Sequence, residues 1–320
     1  MPLPFAVAPV QTIGLPILVL LSWIPYHLRA RALAREHRPV PTWRQVCFAS
    51  GLLVLEVAFS SPVDHLADQL LLAHMVEHLL IGDIASLLLV LGLTGPLIAP
   101  LLRNGVIAKL RVLTHPVVAV VVWGTNFYVW HVPYLYQACL RHDALHALEH
   151  ATFLVFGMAV WMGLLGPLPK PRWFTNSAAL VYIIAMRLIG TVLANILVFG
   201  GTVFYPYYRA GDAHWHISAM ADQVAAGGIM MVEESLLTIG LFCWLFLRVA
   251  RQSEQRQAIL DYADQHDLDL DESRAARAVA AGRGDELWTR LRERAGDQAT
   301  EARTPAEAEA EAEAEATPSL

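Results

Sequence analysis

The stretch LAHMVEHLLIGDIASLLLVLGLTGPLIAPL, residues 72–101, sets two histidines, Glu77 and Asp83 into an otherwise apolar run. At 1.5 Å of rise per residue, roughly 20 residues of helix cross a hydrocarbon core, so this run is long enough to span a bilayer. Six further apolar stretches flank it, at about 10–28, 44–61, 116–134, 147–165, 177–201 and 222–248. A chain of 320 residues with 56% hydrophobic residues, 16% charged residues and a mean hydropathy of +0.44 has more apolar surface than a soluble domain of that size can bury. The expectation is an all-α, polytopic membrane protein: a bundle of seven transmembrane helices.

Charge fixes the expected orientation. Arg29 to Arg44, Arg103 with Lys109 and Arg111, Lys170 with Arg172, and Arg248 onward occupy every second loop, while the intervening loops hold only Arg141 and Arg209 beside Asp64, Asp68, Asp143 and Asp212. The positive-inside rule then puts the N-terminus outside and the C-terminus in the cytoplasm. The first span follows a stretch without Lys or Arg and reads as an uncleaved span. Cys47, Cys139 and Cys243 are dispersed and odd in number, and no disulfide framework is expected.

Residues 1–250 form the expected membrane unit. Beyond them composition changes: residues 251–320 carry 17 acidic and 9 basic residues, a net of −8 in a chain whose total is −6. Residues 251–296 read as a cytoplasmic, partly helical tail of one or two short helices with Leu287, Trp288 and Leu291 as a modest apolar stripe. This tail reads as a solvated appendage. The Ala-Glu-rich residues 297–320 read as disordered, because they contain nothing that can build a core.

By this topology nine of the 13 histidines fall at the outer end of the bundle: His65, His74, His78, His131, His142, His146, His150, His214 and His216. Imidazole is the commonest metal ligand and is costly to bury unpaired in lipid. His74 and His78, four residues apart, share a helical face and supply half of a tetrahedral site. His142, His146 and His150 form a second stripe, from which one ion can take only two ligands; His146 and His150, the deeper pair, are expected to share a centre. His131, in Trp130-His131-Val132-Pro133-Tyr134, lies at the same depth. Glu77, Glu149 and Asp143 are expected to accept hydrogen bonds that fix imidazole tautomers, and Met75 adds a thioether beside His74. His214-Trp215-His216 is a candidate lid or port in the last outer loop. Imidazoles with thioethers from Met75, Met220, Met230 or Met231 suit Cu(I) better than a hard cation, and zinc fits histidines alone.

Within the bilayer lie Glu56, Asp83, Arg187, Glu233 and Glu234, with Asn126 and Asn195. Charges at such depth need partners, so Arg187 is expected to pair with Glu56, Glu233 or Glu234; a proton or ion path is the alternative. No acyl-transfer elbow or phosphate loop occurs, and no nucleic-acid partner is expected.

At these residues the chain resembles the CtaG-type (caa-type) family of cytochrome c oxidase assembly factors over roughly residues 10–250. The resemblance rests on His74-Met75-x-x-His78 followed by the apolar run Leu87 to Leu102, on Trp130-His131-x-Pro133 with Tyr136, on His146-x-x-x-His150, and on Asp222-Gln223 with Gly227 and Gly228. Glu77 and Gly82-Asp83 depart from the family pattern, where glutamine-like and apolar residues are expected. The resemblance implies a non-enzymatic chaperone-like factor of the bacterial inner membrane that matures a haem-copper oxidase by handling copper, with oxidase subunits, copper chaperones and lipid as partners. It carries the metal-handling role over to His74, His78, His131, His146 and His150. Two other functions use the same residues: a haem-binding redox protein, with histidines of facing helices as axial ligands, and a copper or other metal-ion transporter with Asp83, Asn195, Glu233 and Glu234 along its path.

Overall fold

In a computed structural model of the chain the described residues are 9–60 and 62–296, all of whose regular elements are helical. The N-terminal residues 1–8, expected outside the cytoplasm, and the Ala-Glu segment 297–320, expected to be disordered, lie outside the described residues. The main helices are α1 (Pro9–Arg35), α2 (Thr42–Phe59), α3 (Leu71–Gly92), α4 (Pro116–Trp130), α5 (Pro133–Cys139), α6 (Asp143–Leu164), α7 (Asn176–Phe199), α8 (Arg209–His214), α9 (Ala219–Gln265) and α10 (Glu272–Ala280). Four of them, α3, α6, α7 and α9, are long and apolar enough to cross a membrane. A fifth span exists if α4 is taken together with Ala108–Thr114, from which it bends by 77°. The first two expected spans fall on α1, whose first ten side chains lie outside the described residues, and on α2, where Arg44, Gln45 and Glu56 dilute the apolar composition.

Two boundaries differ from the sequence reading. The apolar run to Leu101 is not one helix: α3 ends at Gly92, and Thr94 is extended before Gly95-Pro96 opens a short new helix, as a proline at the first turn favours. At the other end of the chain α9 runs 47 residues to Gln265 instead of stopping near residue 248. Nothing between Gly240 and Gln265 breaks a helix, since the residues that follow Leu247 are mostly Arg, Gln, Glu and Ala, all good helix formers.

The chain divides into two compact units at Leu241/Phe242, within α9. In the first unit, Tyr26, Leu33, Phe48, Leu52, Leu55, Ile81, Ala85 and Leu89 pack α1, α2 and α3 together. A second core joins Leu71, Met75 and Leu79 of α3 to Phe127 and Trp130, Phe153, Leu193, Leu197 and Met230 of α4, α6, α7 and α9. Leu53, Val121, Val155, Val181, Leu188, Val192 and Leu236 are exposed, as residues facing acyl chains would be. In the second unit, Ile259, Ala275, Val279, Leu287 and Leu291 form a small buried cluster, with Tyr262 packed 5.1 Å from Trp288. Successive helical segments bring Ile259, Ala275 and Leu287 together, and Trp288 of the expected apolar stripe is partly buried against them.

Two contacts position the functional end. Residues Leu80–Ala85 of α3 form a π-helical turn, and Ser86 Oγ donates to the Gly82 carbonyl it exposes. Gly157 of α6 lies against Gly82 of α3, where an added Cβ would run into the Gly82 carbonyl oxygen and would come within 2.9 Å of Ser86 Oγ. Only the absence of a side chain lets the two helices approach so closely. The start of α3 is held from α9: the Asp222 carboxylate accepts from the amides of Leu71 at 2.6 Å and Leu72 at 3.0 Å, where α3 has no cap of its own. A carboxylate there satisfies two orphan donors and complements the positive end of the helix.

Candidate metal centre

The pattern His-x-x-Glu-His occurs twice, as His74-Met75-Val76-Glu77-His78 on α3 and His146-Ala147-Leu148-Glu149-His150 on α6. Spacings of three and four place all three polar residues of each copy on one helical stripe. The Gly82–Gly157 contact, about one turn beyond His78 and two beyond His150, brings those stripes face to face.

The resulting cluster is dense. Ring centroids of His74 and His78 are 4.3 Å apart, those of His146 and His150 4.2 Å, and across the helices His74 lies 5.3 Å from His146 while His78 lies 5.2 Å from His150. The carboxylates cross over: His78 Nε2 is 3.8 Å from Glu149 Oε1, and His150 Nε2 is 4.0 Å from Glu77 Oε2. Two sets of three residues offer ligand atoms within 4.8 Å of one another, His74 with His146 and His150, and His74 with His78 and Glu149.

Burial makes the cluster chemically demanding. His74, Glu77 and Glu149 are 0% exposed, and His78 and His150 5% and 6%. Both ring nitrogens of His74 and His78, Nε2 of His146 and His150, and both oxygens of Glu77 and Glu149 are buried and lack a well-formed hydrogen bond, with the Ala67 backbone beside His74 and the Cys139 thiol beside Glu149 as the nearest partners. Each such group ordinarily costs about 1–3 kcal/mol, and native interiors leave few of them together. Two three-residue subsets of these groups bring their ligand atoms close enough together for a cation to satisfy.

The other sequence candidates divide. His131 is buried, its Nδ1 lies 2.7 Å from the Phe127 carbonyl, its Nε2 is unpartnered, and its ring sits 6.1 Å from that of His78. Met75 is buried in the core beside the cluster. Asp143, His142, His65, His214 and His216 are exposed and belong to neither ligand set. The segment between α7 and α9 still reaches the cluster, through Tyr205 and Tyr208, the latter meeting Tyr136 of the resemblance motif. Tyr208 and Tyr136 bond hydroxyl to hydroxyl at 3.1 Å above His74, and Tyr205 donates to the His131 carbonyl at 2.8 Å. Cys139 of α5 is buried beside Glu149, and burial first, then that carboxylate, pushes its thiol up to about 12. The signal for these four was present but weak, a run of tyrosines and a lone cysteine in outer loops.

In the same loop Asp212 is buried without a partner, and burial followed by the charge of Asp222 raises its carboxyl to about 6. Asp64 and Asp68 are raised too, Asp64 by burial and then by Asp68, and Asp68 by burial against the opposing pull of His65, with Asp143 adding to the rise.

Deeper in the bundle Arg187 of α7 pairs with Glu234 of α9 at 2.7 Å and with Ser235 at 3.1 Å. Glu234 fits against Gly190, whose position has no room for a side chain. Glu233 oxygens are buried and unpartnered, and Asp83, on the π turn, lines one cavity with Arg187, Glu233 and Glu234. A second cavity runs from His78, His131 and Met75 to Asp83 and shares Leu79, Trp123, Phe127 and Met230 with the first. Glu56 lies apart on α2, where Ser60 Oγ reaches it at 3.5 Å.

The family model described as cytochrome c oxidase caa3 assembly factor matches residues 5–252. The chain is similar to uncharacterized proteins of Mycobacterium bovis and Mycobacterium tuberculosis, each 26% identical over 266 residues, covering 75% of this chain and 40% of theirs. A Mycobacterium leprae protein is 25% identical over 288 residues, covering 79% and 41%. The chain thus spans about two fifths of the length of the curated relatives it matches. No solved structure matches.

Proposed function

This chain belongs to the cytochrome c oxidase caa3 assembly factor family, and we propose from that premise that it holds copper for insertion into a haem-copper oxidase. In this reading it is a seven-span protein of the bacterial inner membrane, N-terminus outside and C-terminus in the cytoplasm, with its metal cluster at the extracytoplasmic face. Copper is cargo, received from a copper chaperone and passed to an oxidase subunit; the chain itself performs no catalysis.

The observation that carries the reading is the cluster of four imidazoles and two carboxylates, buried and unpartnered. Imidazole suits copper in either oxidation state, and a carboxylate within reach of His78 adds charge compensation that a bare histidine site lacks. Glu149 therefore stands as a ligand candidate and Glu77 as the acceptor that orients His150. His131 and Met75 sit at the cluster's inner edge, along the cavity that leads to Asp83.

Cells lacking the protein and complemented with a His74→Ala/His78→Ala chain should assemble at least tenfold less active oxidase, with restoration by added copper. Unchanged oxidase would contradict the proposal. A transporter reading is favoured by one observation, the two cavities that share Asp83 and reach Glu233. It requires copper uptake into liposomes carrying the full chain, and uptake that survives Glu233→Gln would remove that path.

A further inference from the structure

We propose that the cluster carries two copper ions in adjacent positions, one per His-x-x-Glu-His motif, with His74 common to both. The inference rests on the copper reading above and adds its stoichiometry and internal arrangement.

Geometry supplies the first argument. The outer position consists of His146 and His150 completed by His74, and the inner one of His74 and His78 completed by Glu149. Each helix contributes a histidine pair to one position and a single residue to the other, so neither position exists without both helices. His74 has both ring nitrogens buried and unpartnered. One ion takes one nitrogen and leaves the N–H of the other orphaned in a fully buried ring, whereas two neighbouring positions engage both nitrogens once that N–H proton is released and the ring bridges as imidazolate.

Charge supplies the second. Glu77 and Glu149 are both fully buried, with no Lys or Arg paired to either. Two Cu(I) ions carry the two positive charges that a bridging His74 imidazolate and the Glu149 carboxylate call for. No electron transfer is involved: each ion enters and leaves as Cu(I), and the N–H proton of His74 and any proton held by Glu149 leave as the ions bind.

Depth orders the positions. His146 is the half-buried member of the cluster, one turn before the buried Glu149 and His150, so the outer position is the one an arriving ion meets. His74 then links it to the inner position, whose residues are all buried.

The test is Cu(I) titration of the purified full chain against a calibrated Cu(I) chelator, with metal analysis after removal of the chelator. Two ions per chain are expected. His146→Ala and Glu149→Gln should each retain one, the double variant none, and His214→Ala, at an exposed loop position, two. One ion per wild-type chain, or loss of both ions in either single variant, would overturn the two-position arrangement while leaving the copper reading intact. No copper in the wild type would instead overturn the reading on which it rests. Far-ultraviolet circular dichroism of each variant separates lost ligands from lost fold, and the wild-type stoichiometry decides the question even if a variant misfolds.

Discussion

His74 is the residue on which stability and function pull apart most clearly. It is fully buried with neither ring nitrogen satisfied, so in metal-free protein it is a cost that a hydrophobic side chain would not incur. His74→Leu is expected to leave the metal-free fold as stable or up to about 2 kcal/mol more stable in detergent denaturation, while abolishing copper retention. A loss of more than about 2 kcal/mol would mark His74 as a structural residue. Asp212 gives a pH-dependent counterpart. Its carboxyl holds a proton in the fold up to about pH 6, because burial and the neighbouring Asp222 oppose ionisation, whereas the unfolded chain releases it near 3.8. The group thus contributes stability below about 3.8 that is lost as pH rises through about 6. Asp212→Asn should be more stable than the wild type at pH 7, with the difference shrinking towards pH 5; a difference that does not change with pH would refute the assignment.

At the scale of elements, the decisive event is the approach of α3 and α6. Gly157→Ala places a methyl against the Gly82 carbonyl and is expected to cost about 1–3 kcal/mol and to lower copper affinity, because the two stripes are pushed apart. Equal stability in thermal melts would show that the contact is not what sets the spacing. Much of this level is legible in the sequence. The four-residue spacing and common depth of His74, His78, His146 and His150 follow from helical periodicity alone, and the charge alternation that gives that depth is a property of loops. The crossed partnership of Glu149 with His78 and Glu77 with His150 is not legible, since it depends on rotation of each helix about its axis, which Gly82, Gly157 and the π turn set. Asp222 is illegible for a similar reason: it caps a helix 150 residues away in sequence, so no local capping signature exists. The length of α9 was readable from the missing breaker after Gly240, but a hydropathy window ends where apolarity ends and helix propensity does not.

For the whole molecule, the account requires the two His-x-x-Glu-His motifs to open to the extracytoplasmic side. Single cysteines placed at His214 and at Lys109, in a chain with Cys47, Cys139 and Cys243 replaced, should react oppositely with a membrane-impermeant maleimide. Position 214 should label in intact cells and position 109 only after permeabilisation, and the reverse pattern would invert the topology. Most direct is X-ray absorption at the copper edge of the full chain loaded with Cu(I). The account predicts a first shell of nitrogen and oxygen with imidazole outer scattering, lost in His74→Ala/His150→Ala. A sulfur-dominated shell, or one unchanged in that variant, would contradict it.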